Sequence, residues 1–188
     1  GERVRVAAVL EQGRVDERTH RCEELITGTG PHADLARDDE HPVNVLPYAR
    51  RMPIEGEYEP SAMEWVRDQV AEYEASGGTR ANTLRDTGIP VIVVTMRGKS
   101  SGKVRKIALM RVEHEGAYAL VASYGGRPEN PAWYANLVAD PNVMIQDGPE
   151  PHDFVIREVS GAERDEWWQR AVSVFPTYDE YQSKTDRT

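Results

Sequence analysis

Arg97, Lys99, Lys103, Arg105, Lys106 and Arg111 follow one another with no acidic residue between them, in a chain of 188 residues whose net charge is −9. The centre of this basic island is Gly98-Lys-Ser-Ser-Gly102. Its two glycines permit a tight turn that aims backbone amides at one point. Lys99, Lys103 and Arg105 supply positive charge, and Ser100 and Ser101 add hydroxyl donors, so the loop suits a phosphate or a chain of carboxylates. It is not a Walker loop, because the G-x-x-x-x-G-K-[ST] spacing is missing. The same residues would also make a solvated hairpin with exposed lysines, and residue types alone leave the two readings level.

Two other groups of residues have chemical potential. Ser123-Tyr-Gly-Gly126 precedes Asn130-Pro-Ala-Trp-Tyr-Ala-Asn136. Paired glycines let a ligand approach the backbone, and a helix opening at Asn130–Pro131 presents unpaired amides. Trp133 and Tyr134 can pack on a flat ring, although composition alone favours a helix pinned by Trp133 in the core. Further on, Tyr178 and Tyr181 share a helical face after Phe175-Pro-Thr, and a phenol can donate a proton or a hydrogen bond. Tyrosines packing a terminal helix are the commoner meaning of that pattern. His114 and His152 stand in strand contexts and read as structural. No Ser-His-Asp arrangement and no paired carboxylates stand out.

The elements that must position these groups begin near Ser61. Ser61-Ala-Met-Glu64 has the form of a capping box, and Met63, Val66, Val70 and Tyr73 recur at helical spacing until Gly77–Gly78. Residues 79–89 read as a polar loop. Pro90 opens a β-branched run, Val91–Thr95, which predicts a buried strand. A second strand is expected from Val104 to Glu113, a turn at Glu115–Gly116, and a return strand over Ala117–Ser123. A helix from Pro131 to Asp140, strands at Asn142–Gln146 and Asp153–Val159, a helix from Gly161 to the break at Pro176, and a short helix over Tyr178–Lys184 complete the order. Hairpins outnumber βαβ crossovers, so the expected fold is α+β: a small, mostly antiparallel barrel with helices on its rim.

Residues 1–51 predict no helix or strand and read as a poorly ordered or loosely docked extension, with 52–188 as the working domain and Met52 as a candidate natural start. His20, Cys22, His32 and His41 fit no zinc spacing. Apolar residues make up 39% and charged residues 29%, a balance that supports a folded core. With a single cysteine, no internal disulfide can form. The acidic balance argues against general nucleic-acid binding. No apolar stretch is long enough to cross a bilayer and no signal-peptide core is visible, so the expected location is the cytoplasm.

Taken in order, these segments resemble the deazaflavin-dependent nitroreductase family, F420-dependent reductases of actinobacteria with a split β-barrel fold of the flavin-reductase type. The resemblance is carried by Val94-Thr-Met-Arg-Gly-Lys-Ser-Ser-Gly-Lys-Val-Arg105, Gly116-Ala-Tyr-Ala-Leu-Val-Ala-Ser-Tyr-Gly-Gly126, Asn130-Pro-Ala-Trp-Tyr-Ala-Asn-Leu137 and Tyr178-Asp-Glu-Tyr-Gln-Ser-Lys-Thr-Asp-Arg187. It implies coenzyme F420 as the hydride source. Lys99, Ser100, Ser101, Lys103 and Arg105 would hold the cofactor's anionic tail. Ala122, Ser123 and Tyr124 would line the ring, and Ala132, Trp133 and Asn136 would complete the groove. Tyr178 would act at the substrate, assisted by Tyr181 or Ser123. Ser100 and Tyr124 stand where family members often carry Lys, Ile107–Ala108 where they carry Asn-Pro, and Phe175 where the nitroimidazole-reducing member has Tyr. The resemblance also implies a further apolar strand after Arg187, which would leave this barrel one strand short. The implied acceptors are quinones, activated enones or lactones and nitroaromatics. Alternatives are an FMN-dependent oxidoreductase or a non-catalytic F420 or lipid carrier on the same barrel. The implied partners are a small-molecule acceptor, the inner membrane face if the acceptor is a membrane quinone, and a second copy if the chain is a homodimer rather than a monomer.

Overall fold

The computed structural model describes the backbone of residues 6–11 and all of residues 54–186. The first strand, β1 (Val6–Glu11), is followed by helix α1 (Glu64–Ala75). The hairpin β2 (Val91–Arg97) and β3 (Val104–Met110) comes next, then the short β4 (Glu113–His114) and β5 (Ala117–Val121). Helix α2 (Ala132–Ala139), the hairpin β6 (Asn142–Gln146) and β7 (Pro151–Glu158), and helices α3 (Gly161–Val174) and α4 (Thr177–Gln182) close the order. The strands form a seven-stranded sheet in the order β3-β2-β6-β7-β1-β5-β4. Every pairing between these strands is antiparallel. The outermost strands, β3 and β4, are joined through Arg111–Val112, where Arg111 N donates to Pro90 O and Ala119 N to Val112 O, each at 2.8 Å. The sheet therefore curls until its two ends meet in sequence, the expected split barrel.

Alternation along the strands separates two sides of the sheet. Ile92, Val94 and Met96 of β2 join Leu120, Ala122, Val143, Ile145, Phe154 and Ile156 in one buried cluster, into which α2 sends Trp133, Tyr134 and Leu137. Val91 and Val93 face the other way, onto Val70 and Tyr73 of α1. On β5, Ala119 and Val121 pack under Trp167, Trp168, Ala171 and Tyr178. Each large apolar side chain so buried contributes about 1.5–3 kcal/mol. Two-sided burial explains why β2 is an unbroken β-branched run rather than an alternating one.

Several expectations change. The capping box does not form: α1 starts at Glu64, and Ser61 Oγ accepts from Met63 N at 3.2 Å, a turn two residues long. Ser61 lies too far before the helix to reach its third amide, and Met63 is 54% exposed rather than on the core stripe. Pro131, extended, stands at the cap position of α2 in place of Asn130. The Glu115–Gly116 turn does form, with φ of 52° and 80°, the left-handed pair that a two-residue hairpin requires. Val6–Glu11, expected to have no element, is a strand between β5 and β7. His20, Cys22, His32 and His41 lie outside the described residues.

Candidate functional site

The loop between β2 and β3 is held by its own backbone. Gly98 N donates to Lys103 O and Gly102 N to Gly98 O, both at 2.8 Å, and Lys103 N donates to Ser101 Oγ at 3.3 Å. A Cβ at Gly98 would stand 2.9 Å from Ser101 Oγ and 3.3 Å from Lys103 O, so a larger residue would have to displace the serine hydroxyl, and Gly102 sits at φ +68°. These bonds use the amides of Gly98, Gly102 and Lys103, fewer free donors than a phosphate cradle would have. The amides and hydroxyls of Ser100 and Ser101 remain, with the ammonium of Lys99, on an exposed tip. Among the described residues Lys99 has no ion-pair partner. Its backbone N donates to Asn136 Oδ1 at 3.0 Å, and Asn136 Nδ2 points to Met96 Sδ at 3.7 Å. Asn136 thus ties α2 to the basic loop, joining two of the groups singled out by sequence.

The other cations of the island are paired. Lys103 Nζ lies 2.8 Å from Glu57 Oε1, and Arg105 Nη2 lies 2.6 Å from Glu59 Oε2. Lys106 reaches Glu74 at 2.6 Å, and Arg111 reaches Asp147 at 2.6 Å. Hydrogen bonding to Glu57 raises the Lys103 ammonium above its ordinary value. Glu57 and Glu59 were not singled out by sequence. The signal was present in Glu55-Gly-Glu57-Tyr-Glu59, where an acid at every second position marks an extended segment with one charged side.

The remaining site residues fall on both sides of β5. Ala122 and Trp133 are buried together inside the barrel, Trp133 at 8% exposure, which is the core role that composition favours. Ala132 is exposed at the start of α2. Ser123 is buried, and its carbonyl accepts from Gly126 N at 2.9 Å. Tyr124 is turned outward with φ 47°, under Arg127 at 4.8 Å from its ring, rather than into the interior. The Tyr124–Gly126 turn is clamped by α4: a Cβ at Gly126 would lie 2.6 Å from Tyr181 O. Tyr178 packs against Phe175 at 5.1 Å and Trp168 at 6.1 Å, and Trp168 Nε1 donates to Asp179 Oδ1 at 3.0 Å, fastening α3 to α4. Tyr178 is only 2% exposed. Burial, with Tyr181 nearby, pushes its phenol well above the usual range. Tyr181 is half-buried, 6.0 Å from Phe175.

This arrangement offers an exposed tip of cationic and hydroxyl groups anchored to α2, a buried strand end at Ala122–Ser123, and a buried phenol beside Phe175 and Trp168. The exposed ammonium and hydroxyls of Lys99, Ser100 and Ser101 fit a negatively charged group.

The chain matches the family model described as F420H(2)-dependent quinone reductase over residues 65–188. It is 33% identical over 101 residues to the F420H(2)-dependent quinone reductase Rv1261c of Mycobacterium tuberculosis, covering 52% of this chain and 68% of that protein. A solved domain-swapped dimer is similar with a TM-score of 0.54 and 44% identity, over 68% of this chain and 95% of its own. The F420-H2 dependent reductase FDR-A is similar with a TM-score of 0.50 and 50% identity, over 53% of this chain and 88% of its own.

Proposed function

Because the chain belongs to the F420H(2)-dependent quinone reductase family, we propose that it reduces a quinone-class acceptor with reduced F420, held between the β2–β3 loop, α2 and the end of β5. The observation that carries this reading is the bond from Lys99 N to Asn136 Oδ1 at 3.0 Å, which sets the charged tip and α2 side by side across 37 residues of sequence. Reduced F420 is a hydride donor when bound.

The chain's own residues have three tasks. Lys99, Ser100 and Ser101 hold the anionic tail, with Lys103 and Arg105 available once their carboxylate partners are displaced. Ser123, Ala132 and Asn136 would fix the ring's place beside the buried end of β5, over the core that Ala122 and Trp133 fill. Tyr178 points its hydroxyl at the acceptor oxygen. A quinone that gains a hydride becomes an oxyanion, and a hydrogen bond to that oxygen strengthens as charge develops. The raised pKa keeps the Tyr178 phenol protonated at neutral pH, so it serves as a donor throughout the working range. Tyr181 and Ser123 assist by placing Tyr178 and the turn before it. Activated enones, lactones and nitroaromatics present the same electron-poor carbon or nitrogen and an oxygen to stabilise, and are further candidate acceptors. We place the reaction in the cytoplasm, at the inner membrane face where the acceptor is a lipid-soluble quinone. No helix among the described residues is long and apolar enough to cross a membrane. The domain-swapped relative makes a homodimer the assembly to test first.

The test is anaerobic mixing of the protein with reduced F420 and a water-soluble naphthoquinone, following the return of the oxidised deazaflavin absorbance. Turnover that needs both reactants and protein supports the proposal; binding of F420 with no turnover on any quinone would make the chain a carrier instead. Loading with FMN and turnover without F420 would establish the flavin alternative.

A further inference from the structure

Residues 55–59 run beside the start of β3. Glu59 N donates to Val104 O and Val104 N to Glu57 O, both at 2.9 Å, with Tyr58 in a parallel bridge to Val104. In extended chain, residues two apart share a side, so Glu57 and Glu59 form one acidic pair and Lys103 and Arg105 one basic pair. The backbone ladder sets the two pairs in register, at 2.8 Å and 2.6 Å. Arg105 Nη1 also reaches the Glu59 carbonyl at 3.4 Å, and Arg97 Nη2 reaches the Glu55 carbonyl at 3.4 Å. This is a built contact, because main-chain bonds fix where the carboxylates stand.

We propose that Glu57 and Glu59 are specificity-determining residues: a charge gate on the anion site that sets how many negative groups a cofactor tail must carry to bind tightly. The inference rests on the functional reading above and deepens it. With the gate in place, a ligand bearing a single phosphate meets Lys99 alone. A tail bearing a phosphate and several carboxylates can replace both glutamates together, since both belong to one short segment. The exchange is cheap for such a tail. The Glu57 side chain is 73% exposed, so its ion pair is individually weak, and Glu59 Oε2, buried against Arg105 without a hydrogen bond, regains water when it is released. The gate therefore favours the polyanionic tail of F420 over the single phosphate of FMN.

The test is a double variant, Glu57→Gln with Glu59→Gln, which keeps side-chain size and the backbone ladder. Wild type and variant are titrated with F420 and with FMN at low and physiological salt. At low salt the variant is expected to bind F420 about 5- to 30-fold more tightly, and FMN by a larger factor, so that the preference for F420 narrows. The gain should shrink at the higher salt. Glu72→Gln, which removes the partner of Arg80 elsewhere, should change neither affinity. Unchanged or weaker F420 binding in the double variant, or an F420-to-FMN preference that holds or widens, overturns the gate. If wild type bound neither cofactor, the functional reading would fall. Inorganic pyrophosphate titrated against the same proteins would then decide the gate by itself, tighter binding to the variant supporting it and equal binding overturning it.

Discussion

Tyr178 is held by rings: Phe175 meets it edge-on at 5.1 Å and Trp168 lies tilted at 6.1 Å. A substrate oxygen reaching its hydroxyl would gain a hydrogen-bond donor. Replacing Tyr178 with Phe should lower kcat for quinone reduction by roughly 100-fold or more, leave the F420 dissociation constant within about twofold, and leave the melting temperature near that of the wild type. Steady-state kinetics beside a binding titration reads this directly; unchanged kcat would remove Tyr178 from the reaction. Sequence pointed to Tyr178 through the helical face it shares with Tyr181 and through the family resemblance, but not to its burial. That burial depends on Ala119 and Val121 of β5 presenting apolar groups beneath it, a fact of packing and not of spacing. Lys99 and Asn136 show the complementary case. Each was legible as a polar residue in a turn or helix, while the bond between them depends on α2 crossing β2.

At the scale of elements, α4 is packed against the Tyr124–Gly126 turn. Gly126 lies at φ +79°, and an added Cβ would meet Tyr181 O at 2.6 Å and Lys184 Cβ at 3.0 Å. Gly126→Ala should therefore push α4 away, costing about 1–3 kcal/mol of stability and reducing turnover through Tyr178; denaturant melts and kinetics on one preparation would check both. A second expectation concerns pH. Burial raises the phenols of Tyr178, Tyr118 and Tyr73 in the folded state, Tyr118 also through its bond to Asp147. A raised folded pKa contributes stability that is whole below the unfolded value near 10 and is lost as pH climbs beyond it. Melting temperature should thus be flat through neutral pH on account of these groups and fall from about pH 10, with a shallower fall in Tyr178→Phe. The hairpins were readable because β-branched runs and the Glu115–Gly116 turn carry local signals. The start of α1 was misread because Ser61 and Glu64 satisfy a spacing that the real helix boundary bypasses.

The whole molecule depends on a strand that no local signal revealed. Val9 of β1 faces Tyr118 on one side and Ile156 on the other, so its partners are far away in sequence and its short apolar run looks like part of a charged extension. Proline at Val9 would remove a donor from a strand paired on both edges and should lower the melting temperature by on the order of 5 °C or more, where the same change on an edge strand would cost less. The barrel and its acidic character together frame the proposed site: drawing an anion to the β2–β3 tip against the net charge of the chain requires a local cluster of cations. The most direct measurement is an equilibrium titration of wild type and Lys99→Ala with F420 at low salt. The account predicts saturable binding to wild type, weakened about tenfold in Lys99→Ala and weakened further as salt rises. Equal affinity in the two proteins would contradict it, because the tail would then be held somewhere other than the tip of that loop.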